Sequence, residues 1–144
     1  MVVHADTSFL FSLYAQDANT VRAAELAETL HGALIVTPLQ RFELRNALRL
    51  SVFRGDIAED ECRRLLDLIE TDIKTGALVE TPVAWAEVYA EAEARSAAHT
   101  KKLGTHAVDV LHVAAAAALG VKEFYTFDTR QKALALKAGM KVRP

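Results

Sequence analysis

The chain has 144 residues, 51% of them apolar, 25% charged and 7% aromatic, a balance that fits one soluble domain over residues 1–144 rather than two. Its 17 basic and 19 acidic residues leave a formal charge of -2, so no global field attracts nucleic acid and any such contact must come from a local basic patch. The lone Cys62 excludes an internal disulfide and a cysteine zinc clip, and no apolar run nears the ~20 residues of a membrane span, so a cytoplasmic chain without a membrane partner is expected.

The first apolar run, residues 2–5, predicts a strand that ends at Asp6, and its start lacks the basic region and long apolar stretch of a signal peptide. A helical stretch follows at once. Asp17 or Asn19 opens an Ala-rich helix that stops near His31 and Gly32. Residues 34–37 form the next strand, Thr37-Pro38 opens a helix that runs to Gly55, and Asp56 caps another. Further strands are predicted at 78–81, 123–127 and 141–143, with helices over 84–99, 106–119 and 129–138. Parallel strands need a crossover, usually a helix, so this alternation predicts an α/β fold with four or five short, mostly parallel strands and helices on both faces.

Asp6 and Asp128 each end an apolar run, which puts both at the carboxyl edge of a parallel sheet, where such folds bind their ligands. The structural alternative for each is a helix cap. Glu43 lies on the helix that begins after Pro38. At about 100° per residue, Leu39, Phe42, Asn46, Leu50 and Phe53 form an apolar stripe with Glu43 inside it and Arg41, Arg45 and Arg49 on the far side. A carboxylate facing a core has to be paired, protonated or bound to a metal. Asp109 repeats the anomaly on a helix that is apolar or small nearly all round, where Thr105, Asp109, His112 and Ala116 share a face. Three residues apart, Asp109 and His112 could satisfy one another, and His112 is expected to be a packed, hydrogen-bonded core residue.

Two bare carboxylates ~5 Å apart repel by roughly 3 kcal/mol at an effective dielectric of about 20, so four acids converging on one edge need counter-charge. Mg²⁺ or Mn²⁺ supplies it, as a hard cation that takes oxygen ligands and keeps waters for a phosphate to replace. Such a site suits phosphodiester cleavage by an activated water.

Four segments carry a resemblance over nearly the whole chain: Val3-His4-Ala5-Asp6-Thr7-Ser8-Phe9-Leu10, Arg41-Phe42-Glu43-Leu44-Arg45-Asn46-Ala47-Leu48, Asp109-Val110-Leu111-His112-Val113-Ala114-Ala115-Ala116 and Phe124-Tyr125-Thr126-Phe127-Asp128-Thr129-Arg130-Gln131. In this order and at these separations the sequence resembles the PIN-domain nucleases, and among them the VapC-type toxins of toxin–antitoxin pairs. The resemblance implies a PIN-like three-layer α/β/α fold and Mg²⁺- or Mn²⁺-dependent endonucleolytic cleavage of RNA. It also implies Asp6, Glu43, Asp109 and Asp128 as the catalytic, metal-binding acids, a homodimer, and a small antitoxin that covers or enters the acidic groove. Thr7, Ser8 and Thr126 match hydroxyl positions beside the acids, where they would orient a carboxylate or a water. Related sequences often carry Arg shortly before the third acid, where this chain has Lys101-Lys102-Leu103-Gly104-Thr105-His106.

For RNA contact the cations near the expected edge are Lys101, Lys102, Arg130 and Lys132, with an ordinary solvated face as the plain alternative. The apolar faces of the Pro38 helix and its successor look larger than one domain needs and are candidates for the dimer or antitoxin surface. Trp85 and Tyr89, four apart, suggest packing. The rival readings are a PIN-fold nuclease acting on DNA and a catalytically silent PIN-fold scaffold. An RNase H-like fold is disfavoured by the helix directly after the first strand, and a haloacid dehalogenase-type phosphatase by Ser8, where a second acid is required.

Overall fold

Strands of only three residues suffice here because each pairs with a parallel neighbour and the central β1 and β2 are wholly buried. In the computed structural model, which describes residues 2–144, these are β1 (Val3–Ala5), β2 (Leu34–Val36), β3 (Leu78–Glu80), β4 (Glu123–Tyr125) and β5 (Lys141–Arg143). They form one parallel sheet in the order β3-β2-β1-β4-β5, with Val3 in register with Leu34 on one side and Glu123 on the other. The five predicted strands are all present, each within two residues of its expected bounds.

The helices are α1 (Thr7–Tyr14), α2 (Thr20–Glu28), α3 (Pro38–Phe53), α4 (Glu59–Thr75), α5 (Trp85–Arg95), α6 (Lys101–Leu103), α7 (Ala107–Ala118) and α8 (Thr129–Lys137). A five-residue π-helical segment, Ser96–Thr100, joins α5 to α6. Alternating strand residues send side chains to opposite faces, and two cores result. Val3, Ala5, Leu34, Val36 and Tyr125 pack with α1 to α4, whereas Ile35 and Phe124 pack with α5, α7 and α8. Helices thus cover both faces in three layers. Among the described residues, no helix is long and apolar enough to cross a membrane.

The start of α3 is fixed by a capping box: Thr37 accepts from the Gln40 N–H, and Gln40 Oε1 accepts from the Thr37 N–H at 2.8 Å. The face of α3 that is buried differs from the expected stripe. Gln40, Leu44, Leu48 and Ser51 point inward, while Phe42 and Phe53 are 68% and 87% exposed and Leu50 is 39% exposed. Two apolar stripes share this helix, and periodicity alone does not say which one faces the sheet. Leu48 is fully buried, and Leu48→Ala should cost about 2–5 kcal/mol.

Asp56 is not the cap of α4. Its N–H donates to Ser51 O at 2.9 Å and closes the end of α3 across Gly55, whose φ of 79° is a left-handed turn that favours glycine. The chain enters α4 three residues later through Ala58, and Glu59, Asp60 and Glu61 face the positive end of its dipole.

Candidate active site

The chain winds outward from β1 in both directions, so β1 and β4 are neighbours that lead away to opposite sides of the sheet. The carboxyl ends of such a pair are where open α/β sheets leave a crevice. Asp6 directly follows β1 and Thr126 directly follows β4. A cleft of about 490 Å³ opens there, and Asp6, Glu43, Asp109 and Asp128 all line it. Its walls come from both helical layers, α3 contributing Glu43 and α7 contributing Asp109.

Asp6 is the buried member, 1% exposed. It caps α1 by accepting from the Phe9 N–H at 2.8 Å, and it also takes hydrogen bonds from Ser8 Oγ at 2.7 Å and Thr126 Oγ1 at 2.5 Å. Burial pushes its carboxyl up to about 6, against the downward pull of these three donors. Ser8 is held in turn by the Phe127 N–H, which donates to its Oγ at 3.2 Å. Next to Asp6 in sequence, Thr7 has a buried hydroxyl with no well-formed hydrogen bond.

Glu43 is half-buried, with Oε1 3.1 Å from His112 Nε2. Burial works to raise its carboxyl, but the hydrogen bond from His112 and the nearby Thr7 hydroxyl outweigh it and hold Glu43 below the usual range. An ionised carboxylate only accepts, so Nε2 carries the hydrogen. The anticipated Asp109–His112 pair therefore does not form. His112 is 1% exposed and reaches across to α3, whereas Asp109 is partly exposed and accepts from Gln131 Nε2 at 3.1 Å. Sequence spacing within one helix missed both partners because each comes from another element.

Asp128 caps α8, its Oδ1 accepting from the Arg130 and Gln131 N–H groups at 2.9 and 2.8 Å. Its own N–H donates to Thr126 Oγ1 at 2.9 Å, so this one hydroxyl gives to Asp6 and receives from Asp128. Neutral groups thus join the acids pairwise: Thr126 links the Asp6 carboxylate to the Asp128 N–H, and Gln131 donates to the carboxylates of both Asp128 and Asp109. Capping and lining the cleft are not alternatives for Asp6 and Asp128; each does both.

The arginines flanking Glu43 are engaged elsewhere. Arg41 pairs with Glu70 and Glu80, and Arg45 with Glu70. Lys101, Lys102, Arg130 and Lys132 are exposed and are not part of the cleft wall, and Lys132 Nζ donates to Pro144 O at 3.2 Å. The cation in the wall is Arg54, at the carboxyl end of α3 and without an ion pair among the described residues. The nearby Asp17 carboxylate is occupied by Ser12 Oγ and the Asn19 N–H. Sequence reasoning passed over Arg54 because nothing local marks the last turn of α3 as facing the acids.

Among the described residues, no three of the His, Cys, Asp or Glu side chains stand close enough to grip one bare ion together. The donor set is nonetheless all carboxylate, and the cleft has room for waters. That suits Mg²⁺, which usually keeps several waters and is bound through one or two carboxylates, better than a closed protein cage. The residues present fit a hydrated divalent cation.

A family model described as PIN domain matches residues 3–137. The fold is similar to VapC20 of Mycobacterium tuberculosis, a sarcin–ricin-loop-cleaving toxin, with a TM-score of 0.71, 21% identity and 99% of each chain covered. It is also similar to VapBC-1 of nontypeable Haemophilus influenzae (TM-score 0.64, 15% identity, 99% of this chain and 97% of that one). FitAcB of Neisseria gonorrhoeae is alike at TM-score 0.64 and 16% identity, over 100% of this chain and 97% of the other. No match is found among curated protein sequences. With a parallel five-stranded sheet between two helical layers and a family match over nearly its whole length, the chain belongs to the PIN domain family.

Proposed function

We propose that this chain is a Mg²⁺- or Mn²⁺-dependent endoribonuclease, the toxin of a toxin–antitoxin pair, and that residues 1–144 work as one cytoplasmic domain. The observation that carries this reading is the cleft at the β1–β4 edge, into which two strand ends and two helices each deliver one carboxylate. Asp6, Glu43, Asp109 and Asp128 are the metal-binding, catalytic acids. The bound cation would supply an acidified water and neutralise charge developing on the phosphate.

The chain's own residues do the rest. Ser8, Thr126 and the Phe9 N–H orient Asp6 and leave about one of its four acceptor sites for a ligand. His112 holds one oxygen of Glu43 and leaves Oε2 as an acceptor for a proton leaving the attacking water. Arg54, lining the same cleft without a partner, pairs with a backbone phosphate beside the scissile one. Lys101, Lys102, Arg130 and Lys132 extend the contact to phosphates outside the cleft, which gives affinity without sequence discrimination.

The outward stripe of Phe42, Leu50 and Phe53 on α3, together with exposed Leu68 on α4, is the surface for a second copy or the antitoxin. The VapBC-1 and FitAcB relatives support an antitoxin partner. RNA cleavage by purified protein, with and without a chelator, tests the whole reading. Chelator-sensitive cleavage that Asp109→Asn abolishes is the expected result. Cleavage of DNA alone would move the substrate, and cleavage of neither, with no Mn²⁺ bound, would leave the fold as a scaffold.

A further inference from the structure

Gln131 occupies the third position of α8, counted from its cap Asp128. A glutamine there commonly folds back onto the cap's own N–H, as Gln40 does at the start of α3. In α8 that N–H is already taken by Thr126 Oγ1. The Gln131 side chain is released, and Nε2 donates instead to Asp109 Oδ1 at 3.1 Å while the Gln131 backbone N–H donates to Asp128 Oδ1 at 2.8 Å. One residue therefore holds two acids that reach the cleft from different elements.

The residue is 2% exposed and lines the cleft. The carboxylate of Asp109 only accepts, which fixes the amide with Nε2 toward it. Oε1 is buried and has no donor among the described residues. Core packing does not call for a buried amide whose nitrogen is spent on a partly exposed acid and whose oxygen is left without a donor.

We infer that Gln131 is a positioning residue: it locks Asp109 to Asp128 so that the pair presents one fixed set of oxygens to a divalent cation. This rests on the divalent-cation reading above.

The test is Mn²⁺ titration of the full chain by calorimetry, alongside thermal melting without metal, for wild type, Gln131→Met and Gln131→Asn. Methionine keeps the volume and loses the donor; asparagine keeps the amide but falls one methylene short. Both variants should bind Mn²⁺ about 10-fold to 100-fold more weakly, the range typical of lost outer partners, while Gln131→Met melts close to wild type without metal. A Gln131→Met protein that binds Mn²⁺ as wild type does would overturn the positioning role and leave the metal site standing. If that variant does not fold, a Gln131→Asn protein with wild-type affinity overturns it equally. A wild-type protein that binds no Mn²⁺ would sink the metal site itself, and this role with it.

Discussion

Two helix starts in this molecule use the same pattern for opposite ends. In α3, Thr37 and Gln40 close on each other, and Gln40 Nε2 goes on to donate to the Ala5 carbonyl at the end of β1. In α8, Asp128 and Gln131 stand at the same spacing, but Thr126 satisfies the cap from outside and Gln131 turns to a second acid. Both glutamines are buried. The first arrangement spends every polar group on the fold. The second leaves an amide oxygen unpaired and ties two carboxylates together, which favours a ligand over the empty protein.

The contrast is broken most sharply by exchanging the caps. Asp128→Asn keeps a good cap, so the fold should survive, but cleavage should fall by more than about 100-fold, beyond what loss of an outer partner causes. Thr37→Ala should do the reverse, lowering stability by about 1 kcal/mol in denaturant unfolding with unchanged turnover per folded molecule.

Asp6 sharpens it at a third helix start. Because burial puts its folded-state value at about 6, above the ordinary 3.8, the ionised form opposes folding. The cost, about 3 kcal/mol, is complete above pH 6 and gone below about pH 4. Asp6→Asn should therefore raise the metal-free melting temperature by several degrees at pH 8 and leave it unchanged near pH 4. His4, fully buried with neither ring nitrogen paired and stacked on Phe124 with ring centroids 5.1 Å apart, is pushed down to about 3 by burial, with nearby His112 adding to the effect. Its sign is opposite: the unfolded chain takes up a proton below about 6.5 that the fold refuses, so stability falls with acid. The two groups partly cancel in wild type, and the asparagine variant exposes the histidine's loss.

A smaller effect follows from Gln40→Met. Stranding the Ala5 carbonyl and the Thr37 N–H should cost about 1–3 kcal/mol in stability while Mn²⁺ affinity stays at the wild-type value. Smallest is Arg54→Ala, for which RNA binding measured in chelator should weaken several-fold. One lost phosphate contact lowers the slope of log affinity against log salt by about 0.7 for a single strand; an unchanged slope removes Arg54 from the interface.

Much of this was legible from the chain alone. Asp6 and Asp128 stood out because each stops an apolar run at a helix cap, although β4 itself ends at Tyr125, and Thr37-Pro38 announced α3 to the residue. Glu43 and Asp109 were visible as carboxylates on apolar faces. Their partners were not, since His112 lies 69 positions from Glu43 and Gln131 lies 22 from Asp109. Hydrogen bonds of that range are set by how layers pack, which periodicity within one element does not encode. The inward face of α3 was misjudged for the same reason: an apolar stripe left exposed and one that meets the sheet look alike until the sheet is placed. Arg54 and Gln131 carried no local anomaly, an arginine at a helix end and a glutamine in a first turn being ordinary.

The central strand β1 and its neighbour β4 are joined side by side in the sheet although most of the described sequence separates them. Val3 pairs with Glu123, and the hydroxyl that steadies Asp6 belongs to a residue 120 positions downstream. Asp6, Glu43 and Asp109 therefore all precede β4 in the chain, and the crevice they line is complete only once β4 pairs with β1. A chain without β4 would keep Asp6, Glu43 and Asp109 but lose Asp128 and the Thr126 hydroxyl that orients Asp6.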